Sequence, residues 1–165
     1  MAEKLAALRA RVREQLKKIW RHETLTLRGE IIIARSGMAR IAREDFEQLG
    51  LEADLAQLKR ELPGAKVTLR YGVCDATVRL FAYQTAVTED VFDRMREILT
   101  HIAAQVYGGA SGLSLRLDVL GEWRSLHGRQ QVRFLNKGAQ VAYRLTEVAG
   151  AEETPLSRIR KKIFE

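Results

Sequence analysis

Arginine and aromatic side chains share parity along several short alternating segments of this chain. That combination suits a single-stranded nucleic acid, because guanidinium groups pair with phosphates and aromatic rings stack on bases. Arg28 closes the alternating run 24–28, Arg70 lies in 67–71, and Arg79, Phe81 and Tyr83 fall in step within 76–83, with Arg116 in 113–123. Four further cations, Arg158, Arg160, Lys161 and Lys162, crowd the last ten residues.

Other chemistry-bearing residues lead less far. Asp90, Arg94, Glu97 and His101 follow one another at helical spacing. Glu97 and His101 suit a metal by position, since residues four apart share a helix face. No second His or Cys pair accompanies them, and Arg94 offers both neighbouring acids an ion-pair partner, so an ion-pair ladder is the preferred reading. His22 is read as a cation at a helix C-terminus, and His127 falls in the turn 125–128. Cys74 stands beside Asp75, whose charge disfavours a thiolate. The glycine-rich stretch 107–112 follows a helical pattern instead of opening one, and lacks the Lys-Ser/Thr of a phosphate-binding loop. No catalytic, cofactor or metal signature is recognised, and an enzyme is the less favoured class.

The charge is uneven. The whole chain of 165 residues carries +7, but residues 1–28 carry +5, residues 156–165 carry +3, and the span between them carries −1. Basic ends on a nearly neutral body favour contact with a polyanion; two solvated amphipathic helices are the plainer alternative. With 46% hydrophobic and 30% charged residues, the composition is that of a soluble globular domain. Apolar runs reach only four residues, as in 31–34, too short for a membrane span. Charges interrupt any leader-like segment, and one cysteine allows no internal disulfide. A cytoplasmic location is expected.

Positioning those residues requires elements. Leu5, Leu8, Val12, Leu16, Ile19 and Trp20 recur on one arc of a helix over 3–22. Period-two alternation predicts a strand over 24–34, with Gly29 as a candidate bulge. A helical pattern over 43–62 has Gly50 as a candidate break and Pro63-Gly64 as its stop. Strands follow near 66–73 and 76–85. A helix over 88–107 takes Thr88 as N-cap, then comes a strand over 113–123. Strands 129–135 and 139–148 are joined by a three-residue hairpin at Asn136-Lys137-Gly138. Thr154-Pro155 opens a short basic helix.

The resulting order predicts an α+β fold of ferredoxin-like βαββαβ topology. One antiparallel sheet carries two helices on one face, an added C-terminal β-hairpin, and amphipathic helices at both termini. The expected organisation is a basic N-terminal helix over 1–22, an α+β domain over 23–150, and a short basic helix over 151–165. Alternation then sends Leu25, Leu27, Val67, Leu69, Val78, Leu80, Leu115 and Leu117 toward the helices, and Arg28, Arg70, Arg79, Phe81, Tyr83 and Arg116 to the opposite face. The layout superficially resembles the RNA-recognition-motif design. However, 76–83 lacks the glycine and aromatic spacing of that family, and no membership is assigned. The face is alternatively covered by the hairpin, the N-terminal helix or a second subunit.

Two functions are carried forward. The first is a nucleic-acid-binding accessory protein using the basic termini and the arginine-aromatic face. The alternative is a self-assembling structural or scaffold subunit, phage- or secretion-like, with its sheet face and Leu5, Leu8, Val12, Leu16 and Ile19 as protein interfaces. Peripheral membrane contact through the terminal helices is a minor third. A homo-oligomer is expected, and no cofactor.

Overall fold

In the 12-residue strand β1 (Thr24–Arg35), Leu25, Leu27, Ile31 and Ile33 are fully buried, while Arg28 and Glu30 between them are exposed. Period-two alternation of this kind gives a strand one wet and one dry face, so β1 must sit in a sheet covered on one side only. The computed structural model describes residues 2–20, 23–35, 41, 43–109, 112–126 and 128–148, and the side chains of 13–20 are not among those described.

The remaining elements are α1 (Ala2–Trp20), α2 (Arg43–Glu47), α3 (Leu51–Glu61), β2 (Lys66–Tyr71), β3 (Asp75–Ala86), α4 (Val91–Gly108), β4 (Leu113–Ser125), β5 (Gly128–Lys137) and β6 (Gln140–Glu147). The six strands form one open antiparallel sheet in the order β2-β3-β1-β4-β5-β6. The protein is thus an α+β fold. Helices α3 and α4 pack on each other, α3 also meets β2, and α4 also meets β4 and β6. Val91, Met95, Ile98 and Ile102 of α4 join Val78, Leu80, Leu115 and Leu117 of the sheet in one core, each buried side chain contributing about 1.5–3 kcal/mol. At the far end Phe92 meets Trp123 edge-on, with ring centroids 5.4 Å apart, and packs near Tyr143 of β6 at 5.8 Å. That aromatic cluster ties the hairpin to the core. Among the described residues no helix is long and apolar enough to cross a membrane.

Several expectations need correction. Gly29 is not a bulge, since register runs unbroken from Leu27 through Gly29 to Ala34 against both neighbours. It is glycine because a Cβ there would lie 2.6 Å from the Cα of Val119. The bulge lies in β3, where Tyr83 and Gln84 sit between the pairs Leu27↔Ala82 and Leu25↔Thr85 and together oppose Thr26. Gln84 takes φ 45° and its amide donates to Thr26 Oγ1 at 3.1 Å.

The predicted helix 43–62 breaks where expected, with Gly50 left-handed at φ 65° between α2 and α3. The hairpin turn is one residue shorter than predicted, because Lys137 still pairs with Gln140. Asn136 is freed for another task. Its side-chain amide donates to Leu115 O at 2.8 Å and accepts from Leu117 N at 2.9 Å, continuing the ladder where β5 backbone no longer pairs with β4. Thr88 does not cap α4; Asp90 holds that position, and the Thr88 hydroxyl donates to the Asp90 carboxylate. Arg94 bonds Asp90 at 2.5 Å but reaches Glu61 of α3, at 2.6 Å, instead of Glu97. The expected ladder is therefore a bridge between two helices. His22, His127 and the C-terminal helix lie outside the described residues.

Candidate nucleic-acid interface

Register sorts the outward side chains into transverse rows. One row reads Lys66, Phe81, Arg28, Leu120, Arg133 and Arg144, in strand order from β2 to β6. All six are exposed. It holds four cations and two apolar groups, with no acid. On one side of it run Thr68, Arg79, Glu30, Asp118, Leu135 and Ala142, and beyond them Arg70, Thr77, Ile32 and Arg116. A depression of about 320 Å³ over β1 and β4 is lined by Arg28, Glu30, Ile32, Arg116, Asp118 and Leu120.

Acidic residues on this face engage only some of the arginines. Arg79 pairs with Glu30 at 3.4 Å and Arg133 with Asp118 at 3.4 Å. Both pairs are exposed, so each contributes little. Glu122 accepts from Arg129 at 2.6 and 3.0 Å and from Arg124 at 3.2 Å. The Arg129 hydrogen bonds, with help from Arg124, hold the Glu122 carboxyl below its usual range and the Arg129 guanidinium above its own. By contrast Arg28, Lys66, Arg70, Arg116 and Arg144 have no carboxylate partner among the described residues. Unmatched positive charge of this density raises the local concentration of anions.

Arg28, Arg70, Arg79, Phe81, Tyr83 and Arg116 all stand exposed on the open face. They do not form one patch of equals: Phe81 and Arg28 are direct cross-strand neighbours, Arg70 and Arg116 lie two rows away, and Tyr83 sits at the bulge. Arg158, Arg160, Lys161 and Lys162 lie outside the described residues. On α1, Leu5, Leu8 and Val12 are 56%, 58% and 48% exposed, so that part of the stripe is not buried within the chain. The side chains of Leu16 and Ile19 are not among those described. The hairpin does not cover the sheet face, because β5 and β6 continue the sheet edge to edge beyond β4.

Lys66, Leu120, Arg133 and Arg144 were not singled out from sequence. Parity alone could have placed each on the outer face, but only register aligns them with Arg28 and Phe81. A second feature, also unforeseen, joins Asp54 of α3 to His101 of α4, with Nδ1 2.9 Å from a carboxylate oxygen. His101 also lines a cleft of about 400 Å³ with Asp45, Gln48 and Gln105. No Ser, Thr, Cys or Lys lines that cleft among the described residues. Among the described residues no three His, Cys, Asp or Glu side chains are grouped to hold a metal ion. No protein-family model matches the sequence, and no curated protein matches it.

Proposed function

We propose that this protein is a nucleic-acid-binding accessory protein of ferredoxin-like architecture, acting by binding through the open face of its sheet. The architectural part is supported by the order β2-β3-β1-β4 of the first four strands, with α2 and α3 between β1 and β2 and α4 between β3 and β4. The binding part is carried by one observation: Arg28 and Lys66, exposed cations without a carboxylate partner among the described residues, flank the exposed Phe81 ring on a sheet face that no other described strand or helix covers. Such a surface holds a backbone by charge and bases by stacking. The basic C-terminal residues Arg158, Arg160, Lys161 and Lys162 add charge to the same task.

The two contributions separate in a salt titration of labelled single-stranded DNA and RNA. Arg28→Gln with Lys66→Gln should weaken binding and flatten its salt dependence, because fewer counterions are released. Phe81→Ala or Tyr83→Ala should cost about 1–3 kcal/mol per stacked base and leave the salt slope intact. Equal salt slopes in all variants would count against the reading.

The exposure of Leu5, Leu8 and Val12 favours a second reading, a self-assembling subunit joined through α1. Removing residues 1–20 should then lower the assembled mass. A truncated chain with the mass and melting behaviour of the full chain would refute assembly through α1.

A further inference from the structure

We infer that the β5–β6 hairpin is the outer third of the binding platform, and that a single nucleic-acid strand crosses all six β-strands along the line Lys66, Phe81, Arg28, Leu120, Arg133, Arg144. This rests on the reading of the open face as a nucleic-acid surface and gives it a path.

The first ground is the distribution of charge between rows. The row next to this line carries Arg79 with two acids, Glu30 and Asp118. The line itself carries four cations and no acid, so a polyanion following it meets attraction at every cation and no fixed repulsion within the row. Exposed Phe81 and Leu120 flank Arg28 on either side. They offer apolar contact for bases between the points that hold phosphate.

The second ground is the pair Arg133↔Arg144, which face each other across β5 and β6. Like charges directly opposite on neighbouring strands repel. The same sheet contains another such pair, Arg124↔Arg129, and there Glu122 bridges both guanidinium groups. At 133 and 144 only Arg133 has an acid, Asp118 at 3.4 Å, and Arg144 has none among the described residues. Glu122 engages both members of the first pair, whereas Asp118 reaches only Arg133 of the second, which leaves Arg144 for a phosphate. Five interstrand steps of roughly 4.8 Å make the line about 24 Å long.

The test measures binding of labelled eight-nucleotide oligothymidylate and oligouridylate to the full chain and three double variants, the two Gln pairs being charge-matched. Arg133→Gln/Arg144→Gln removes two cations from the line, and Arg70→Gln/Arg116→Gln removes two exposed cations from another row. The first should weaken binding at least tenfold and shallow the salt slope by about 1.4, the value for two single-strand phosphate contacts. The second should change affinity less than threefold. Arg133→Lys/Arg144→Lys should retain the slope, and thermal melts should match the parent for all three. Equal losses from the two Gln pairs, or no loss from the hairpin pair, overturns the path and leaves the platform reading standing. Failure of the parent chain to bind either oligonucleotide at low salt overturns both.

Discussion

The His101 imidazole on α4 lies with Nδ1 2.9 and 3.0 Å from the two carboxylate oxygens of Asp54 on α3. Asp54 is 6% exposed, whereas the imidazole is largely exposed. The histidine therefore satisfies a buried acid at the packing seam of the two helices. His101→Ala should cost about 1–3 kcal/mol, the penalty for leaving a buried polar group unpaired. Replacing both residues by leucine should recover part of that loss. Urea unfolding of the single and double variants decides; a His101→Ala variant as stable as the parent would show that the contact is idle.

The Glu122 clamp predicts a pH dependence. Hydrogen bonds from Arg129, then Arg124, lower its pKa from the ordinary 4.5. A carboxyl depressed in the folded state contributes stability above its unfolded pKa and loses it as pH falls through the lower folded value. Glu122→Gln should thus be less stable than the parent at neutral pH, with the difference closing as both are acidified. A gap that stays constant from neutral to acid pH would contradict the assignment.

Gly121 and Gly29 set how closely the central strands approach. A Cβ on Gly121 would lie 2.6 Å from Thr26 O, and one on Gly29 equally close to Val119 Cα. Both obstacles are backbone atoms that no rotamer change removes. Alanine at either site should cost about 1–3 kcal/mol, as overpacking of a tight core does. Gly108→Ala serves as control, because nothing lies within 4 Å of its Cβ position. Calorimetric midpoints of the three variants rank the sites, and equal midpoints would refute the close-approach explanation.

Much of this arrangement is legible in residue order. Alternation is a local property, so the strands and the outward parity of Arg28, Arg70, Arg79, Phe81 and Arg116 follow from spacing. Gly50 breaks the first internal helical segment because a left-handed backbone is cheap there. Register is not local. Lys66 and Arg144 come from opposite edges of the sheet, and nothing in their neighbourhoods shows that they share a row with Arg28. The bulge at Tyr83 and Gln84 was equally hidden, since glutamine carries no mark of a positive φ. Asp54 and His101 stand 47 positions apart, and helical periodicity places each on its own helix without saying that the two flanks meet. The task of Gly29 emerges only when the neighbouring strand is in place.

Binding of single-stranded nucleic acid by the parent chain is the most direct test of the central claim. Fluorescence anisotropy with labelled oligothymidylate and oligouridylate should give saturable binding at low salt that weakens steeply and log-linearly as salt rises. No saturable binding to either strand at low salt would contradict the account.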